Sequence, residues 1–275
     1  MNTQERILLV EDEPEIAAML AMFFEQRGYT FLRADTGVQA LAMGQQHMPH
    51  LILMDILLPD MDGFEVCSRL RSLPRTSHIP IIFLTRRDDK AARMQALELG
   101  ADDFIAKPFD PAELLLRVRN SMARAEQQNL IDRRSGLPGA LVVREYLARA
   151  RTDPASAIIE ITLENSSAYT RCYGAAAIGQ VQGYLAQVVV WALDQSGVSE
   201  SFAGYAAEDR LVVICPASQA QRMAERIATV FNFQVGRYYR EDHRQDGALV
   251  VGGERYPLMK VTCRVHTVGG YAEVS

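Results

Sequence analysis

Over 275 residues, an apolar share of 48% against 23% charged side chains suits two ordinary buried cores and excludes intrinsic disorder. The formal net charge of −5 gives no global attraction to nucleic acid. No secretory leader is legible, no apolar run approaches the roughly 20 residues that cross a bilayer, and Cys67, Cys172, Cys215 and Cys263 lie too far apart for zinc or redox pairs. The expectation is a cytoplasmic protein with reduced, core-type cysteines and no membrane partner.

Residues 6–10 read as a strand that ends on Glu11-Asp12. Pro14 suits the first turn of a helix whose apolar residues Ile16, Met19, Leu20 and Phe23 recur at helical spacing, and Gly28 stops it. A strand over 29–34 and a helix over 38–46 follow. The stretch from His50 to Gly63 then carries an apolar run that ends on Asp55 and passes into a turn rich in Pro, Asp and Gly. A run this apolar predicts a strand buried on both faces, as in a parallel sheet. A helix over 64–73, a strand over 79–85, a helix over 91–99 closed by Gly100 and a strand over 103–106 come next. Asp110 as N-cap and Pro111 in the first turn open a last helix. Five strands alternating with five helices predict a doubly wound, five-stranded parallel sheet, an α/β fold.

Glu11, Asp12, Asp55, Thr85 and Lys107 all fall at C-terminal ends of predicted strands, the edge where open α/β sheets place their ligands. Each alone reads as a cap or a surface charge; together they make a crevice. Three close carboxylates repel one another unless a hard cation neutralises them, and Mg2+ with oxygen ligands fits. Lys107 is placed to pair with a phosphoryl group and the Thr85 hydroxyl to bond its oxygens, which leaves Asp55 as the nucleophile of an aspartyl-phosphate.

This pattern resembles the receiver domain of two-component response regulators over about residues 5–125. The resemblance implies that Asp55 takes a phosphoryl group from a sensor histidine kinase. It makes Asp12 the direct Mg2+ ligand, Glu11 its water-mediated helper and the Leu57 carbonyl a further oxygen donor. It places Thr85 and Lys107 at the switch-hydroxyl and phosphate-pairing positions, with a cis Lys107–Pro108 bond, and Phe104 at the aromatic switch. Arg86 and Arg87 depart from the small residue usual after the switch threonine, and the expectation is an altered phosphoryl lifetime unless both point to solvent.

The apolar stripe Leu114, Val118, Met122 and Ala125 prolongs the last helix to about residue 128, as a connecting helix or as the seam of a homodimer. Asp132-Arg133-Arg134-Ser135-Gly136-Leu137-Pro138-Gly139 gathers turn-formers that mark a boundary. The division expected is a receiver over 1–125, a helical linker and turn over 126–139, and an output domain over 140–275. That output half reads as a helix over 142–149, a strand over 157–163, and a helix over 178–193. Strands over 199–205 and 210–215, joined by a turn through 206–209, precede a helix over 218–230 and strands over 249–251 and 258–268. The arrangement is antiparallel α+β. Arg237 to Arg244 reads as a solvated basic loop, and no helix-turn-helix is legible, so no nucleic-acid partner is expected.

Along this half the sequence resembles the GGDEF, or diguanylate cyclase, module, a nucleotidyl-cyclase-like α+β domain. The turn-former cluster matches its D-x-L-T-G-L-P-N motif, Tyr173-Gly174 is retained, and 207–211 falls at the signature. Judged by that family, the chemistry is missing. Thr162 replaces the metal-binding Asp, Thr170 the guanine-contacting Asn, Ala207-Glu208 the Gly-Gly turn, and Arg210 the signature's Glu, with Asp209 the carboxylate retained. Glu164 reads as a solvated turn residue, and Val198 to Ser201 offers no inhibitory R-x-x-D. One Asp does not hold the ions of two-metal phosphoryl chemistry. The resemblance thus implies a non-catalytic output domain acting on an unidentified protein partner. A divergent cyclase and a non-turnover sensor of GTP or cyclic di-GMP stand as alternatives.

Overall fold

The computed structural model describes residues 5–85, 94–96, 98–198, 201–207, 209–267 and, as backbone, 270–274. Contacts divide the chain into two compact units, Gln4–Pro138 and Gly139–Ser275.

In the first unit, strands β1 (Arg6–Val10), β2 (Thr30–Ala34), β3 (Leu51–Asp55), β4 (Ile81–Thr85) and β5 (Asp103–Ala106) form one sheet of order β2-β1-β3-β4-β5. Every pairing is parallel. Alternation along the buried strands sorts their side chains into two cores. Ile7, Leu9, Leu51, Leu53, Ile82 and Leu84 pack with helices α1 (Pro14–Glu25) and α4 (Pro111–Gln127). Leu8, Val10, Ile52, Met54, Ile81 and Phe83 pack with α2 (Gly37–His47) and α3 (Gly63–Ser72). The helix expected over 91–99 is helical at 94–96 and 98 and gives way to a turn at Leu99, while 91–93 and 97 lie outside the described residues.

One expectation at the junction is corrected. Leu114, Val118, Met122 and Ala125 are buried within the first unit, three of them in a sheet-packed core, so the stripe offers no open seam to a twin helix. The segment expected as a helical linker and turn folds against the first unit. The helix ends at Gln127, Asn129 takes a left-handed φ of 53°, and Leu130 N–H returns to the Ala125 carbonyl. Residues 130–138 then turn back onto the first unit, closed by a bridge between Ile131 and Pro138.

The second unit carries an antiparallel sheet of order β12-β11-β6-β8-β7, formed by β6 (Ser156–Glu164), β7 (Phe202–Ala207), β8 (Arg210–Pro216), β11 (Lys260–Thr267) and β12 (Gly270–Val274). On one face helix α5 (Ala140–Ala150) covers Ile158, Phe202, Val212 and Ile214, with Tyr146 stacked on Phe202 at 4.2 Å. Against β6 and β11 packs α8 (Ala217–Gln234), itself in contact with α7 (Ala175–Ser196). A separate hairpin pairs β9 (Ala248–Val251) with β10 (Glu254–Pro257).

Several local expectations change here. Helix α7, at 22 residues, is long and apolar enough by length and composition to cross a membrane, contrary to the sequence reading; most of it is buried as the core helix of its unit. Arg237 to Arg244 is not a loop but a 3-10 turn (Val235–Tyr238) and helix α9 (Glu241–Asp246), with the Arg237 guanidinium 4.1 Å from the Tyr184 ring centre. Glu164 ends β6 and pairs with Lys260 at 3.5 Å. Cys67, Cys215 and Cys263 are buried, whereas Cys172 is exposed. Helix α6 (Ser166–Tyr173) was not legible in the sequence. Glu208, Ser199 and Glu200 lie outside the described residues.

Candidate functional site

Strand register builds the site. Val10 pairs with Met54, Asp55 with Leu84, and Thr85 with Ala106. The residues at the strand ends therefore stand side by side: Glu11 beside Asp55, Asp55 beside Thr85, Thr85 beside Lys107. The loop after β3 is drawn tight by Gly63, whose N–H donates to the Ile56 carbonyl at 2.8 Å. A Cβ on Gly63 would collide with the Asp55 carbonyl oxygen.

Lys107 is the centre of the cluster. Its Nζ donates to Asp55 Oδ2 at 2.5 Å and to Glu11 Oε2 at 2.6 Å, with Glu13 Oε1 at 3.8 Å. The side chains of Lys107, Glu11 and Asp55 are 7%, 0% and 4% exposed. Leu57 N–H donates to Asp55 Oδ1 at 3.1 Å, so both carboxylate oxygens are oriented. Thr85 is buried, and its carbonyl accepts from Lys107 N–H at 2.5 Å. The Lys107–Pro108 bond is cis.

Burial pushes the Glu11 carboxyl up to about 7, and the nearby Asp55 charge adds to this, while the Lys107 ammonium pulls the other way. Burial alone would lower Lys107; the hydrogen bonds it donates to Asp55 and Glu11, with their charges, prevail and raise it above its ordinary value. One cation thus stands among carboxylates that it does not neutralise. Glu11, Asp12 and Asp55 each offer an oxygen, all within 4.8 Å of one another, with Asp12 open to solvent. Such a set of hard oxygen donors, negative beyond its one lysine, fits a hard divalent cation. Among the described residues no other group of three potential ligands converges in this way.

Residues 7–119 match the family model described as the response regulator receiver domain. This segment is a response regulator receiver domain. Similar curated proteins include the transcriptional regulatory protein ResD of Bacillus subtilis, 38% identical over 141 residues, 51% of this chain and 58% of that one. The DNA-binding dual master transcriptional regulator RpaA of Synechocystis is 39% identical over 122 residues, 44% of this chain and 51% of that one. A solved response regulator receiver domain protein from Methanospirillum hungatei is 30% identical, with a TM-score of 0.44 over 46% of this chain and 98% of that one. The chain spans about half the length of the curated relatives it matches.

Glu11, Asp12, Asp55, Thr85 and Lys107 thus stand at one sheet edge. Phe104 sits apart from the charge cluster, partly buried against the core of Leu8, Ile81 and Phe83. Leu57 is 65% exposed beside Asp55, its carbonyl on the loop that follows. Arg86 and Arg87 lie outside the described residues. Glu13, which the sequence reading passed over, joins the Lys107 cluster; the run Glu11-Asp12-Glu13 was its only signal.

Proposed function

We propose that the chain is a two-component response regulator in which Asp55 accepts a phosphoryl group from a sensor histidine kinase. The observation that carries this is the Lys107 bridge between the buried carboxylates of Asp55 and Glu11 at the end of the receiver sheet. Asp55 Oδ2 attacks phosphorus, a phosphorus–oxygen bond forms as the phosphorus–nitrogen bond of the phosphohistidine breaks, and the imidazole nitrogen recovers a proton. Mg2+, held by Asp12, Asp55 and the Leu57 carbonyl with Glu11 behind them, would neutralise phosphoryl charge. Lys107 is then placed to move from the bare carboxylate to a phosphoryl oxygen, and Thr85 to bond another.

The second unit is, on this reading, a non-catalytic GGDEF-like output domain that acts on a protein partner. Its register supports that: Thr162 stands directly opposite Arg210 on one side and Thr262 on the other. The resemblance would have metal carboxylates at Thr162 and Arg210; a hydroxyl and a guanidinium do not hold magnesium. The test is calorimetric titration of GTP, with magnesium, into the beryllofluoride-activated chain, followed by cyclic di-GMP and by product analysis. Absence of heat and product supports the reading. Binding without turnover makes the domain a nucleotide sensor, and product makes it a divergent cyclase.

A further inference from the structure

The segment 130–138 is held to the receiver by contacts that a passive linker does not need. Arg6, at the start of β1, donates from Nε to the His47 carbonyl at 2.8 Å and from its guanidinium to the carbonyls of Met48 and Ser135. His50, at the start of β3 and 3% exposed, spans the same joint. Its Nδ1 accepts from Arg6 N–H at 3.0 Å and its Nε2 donates to the Arg133 carbonyl at 2.9 Å. His78 Nε2 lies 3.3 Å from the Gly136 carbonyl. Arg133 pairs with Glu5 at 2.7 Å.

The segment is also folded for this seat. Asp132 gathers the N–H and hydroxyl of Ser135 on one carboxylate oxygen and Arg134 on the other. Gly136 takes a φ of +76°, and a Cβ there would run into the Met48 carbonyl. Leu137 is 1% exposed.

Helix α4 joins this seat to the phosphorylation site. It starts at Pro111, four residues after Lys107, and ends at Gln127, three residues before the docked segment. Its 17 residues make a rod about 26 Å long. A tilt of about 5° at the Lys107 end moves the far end by about 2 Å, more than a 2.9 Å hydrogen bond tolerates.

We propose that residues 130–138 are a latch, seated while Asp55 is free and released when Asp55 carries a phosphoryl group. Release adds nine residues to the tether of the second unit, up to about 30 Å of extended chain. This rests on the phosphorylation reading above and specifies how it is regulated.

The test is hydrogen exchange with mass spectrometry on the full chain, with and without beryllofluoride and magnesium, with occupancy read independently by fluorine NMR. The expected result is exchange across 130–138 about tenfold faster in the occupied state, the scale of a local opening. Bound beryllofluoride with unchanged exchange overturns the latch and leaves phosphorylation standing. No bound fluoride species overturns the response-regulator reading itself. Gly136→Ala is expected to give fast exchange in both states with beryllofluoride still bound; protection equal to the parent chain would refute the seat described.

Discussion

The joint at His50 makes the stability of the first unit depend on pH in a calculable way. Its Nδ1 faces a backbone N–H that can only donate and its Nε2 a carbonyl that can only accept, so the neutral ring with the proton on Nε2 is the form that fits. Burial first, then the charge of Arg6, pushes its pKa down from 6.5 to about 3; burial pushes His78 to about 4. An unfolded histidine takes up its proton below about pH 6.5, whereas the folded His50 stays neutral until about pH 3. The unfolded state therefore binds more protons within that window. Stability that is fully present above pH 6.5 is lost as pH falls toward 3, at about 1.4 kcal/mol per pH unit for one such group. Between pH 7.5 and 5 the loss from His50 is about 2 kcal/mol. Glu11, raised to about 7, acts in the opposite sense, so the isolating comparison is with His50→Gln, which removes this proton and leaves Glu11 in place. Urea unfolding followed by far-UV circular dichroism reports both units, while fluorescence of the single tryptophan, Trp191, reports the second. The difference in stability between the parent and His50→Gln is expected to change by about 2 kcal/mol over that range. Parallel pH profiles for the two proteins would refute the argument.

Three further outcomes follow from the site. Lys107→Met leaves two buried carboxylates without their cation and is expected to cost about 3 kcal/mol in urea unfolding without magnesium, with part recovered at millimolar magnesium. Equal stability of parent and variant would mean that the bridge contributes nothing. Gly63→Ala forces the loop away from the Asp55 carbonyl and is expected to cost about 2 kcal/mol and to slow phosphoryl uptake from acetyl phosphate. Asp12→Asn removes the solvent-facing carboxylate and is expected to raise the magnesium concentration for half-maximal phosphorylation about tenfold, a loss of about 1.4 kcal/mol in binding. A magnesium curve that does not move would remove Asp12 from the ligand set.

The receiver was legible because its strands are apolar runs that end on the residues that matter. Asp55 closes one such run and Thr85 another, so finding the strand ends found the crevice. Register supplied what the sequence lacked, namely that Glu11 and Asp55 share one lysine. The seat of residues 130–138 was not legible, since Ser135, Gly136 and Pro138 look like any boundary turn. Its partners Arg6, His50 and His78 lie 58 to 129 residues away along the chain. In the second unit, the long helices and central strands announced themselves by apolar spacing. Helix α6 did not, because Ser166 to Tyr173 is short and polar; its order comes from Tyr169 and Tyr173, stacked at 4.5 Å and met edge-on by Tyr239. The coiled-coil expectation failed for a related reason. A stripe such as Leu114, Val118 and Met122 has the same spacing whether it faces a twin or its own sheet.

The central claim is tested most directly by locating the phosphoryl group. After incubation with acetyl phosphate and magnesium, borohydride converts an aspartyl-phosphate to a stable homoserine, and peptide mass spectrometry finds its position. One modified residue per chain, at Asp55, absent under chelation and in Asp55→Asn, is the predicted result. Modification elsewhere, or none while the receiver remains folded, would contradict the account.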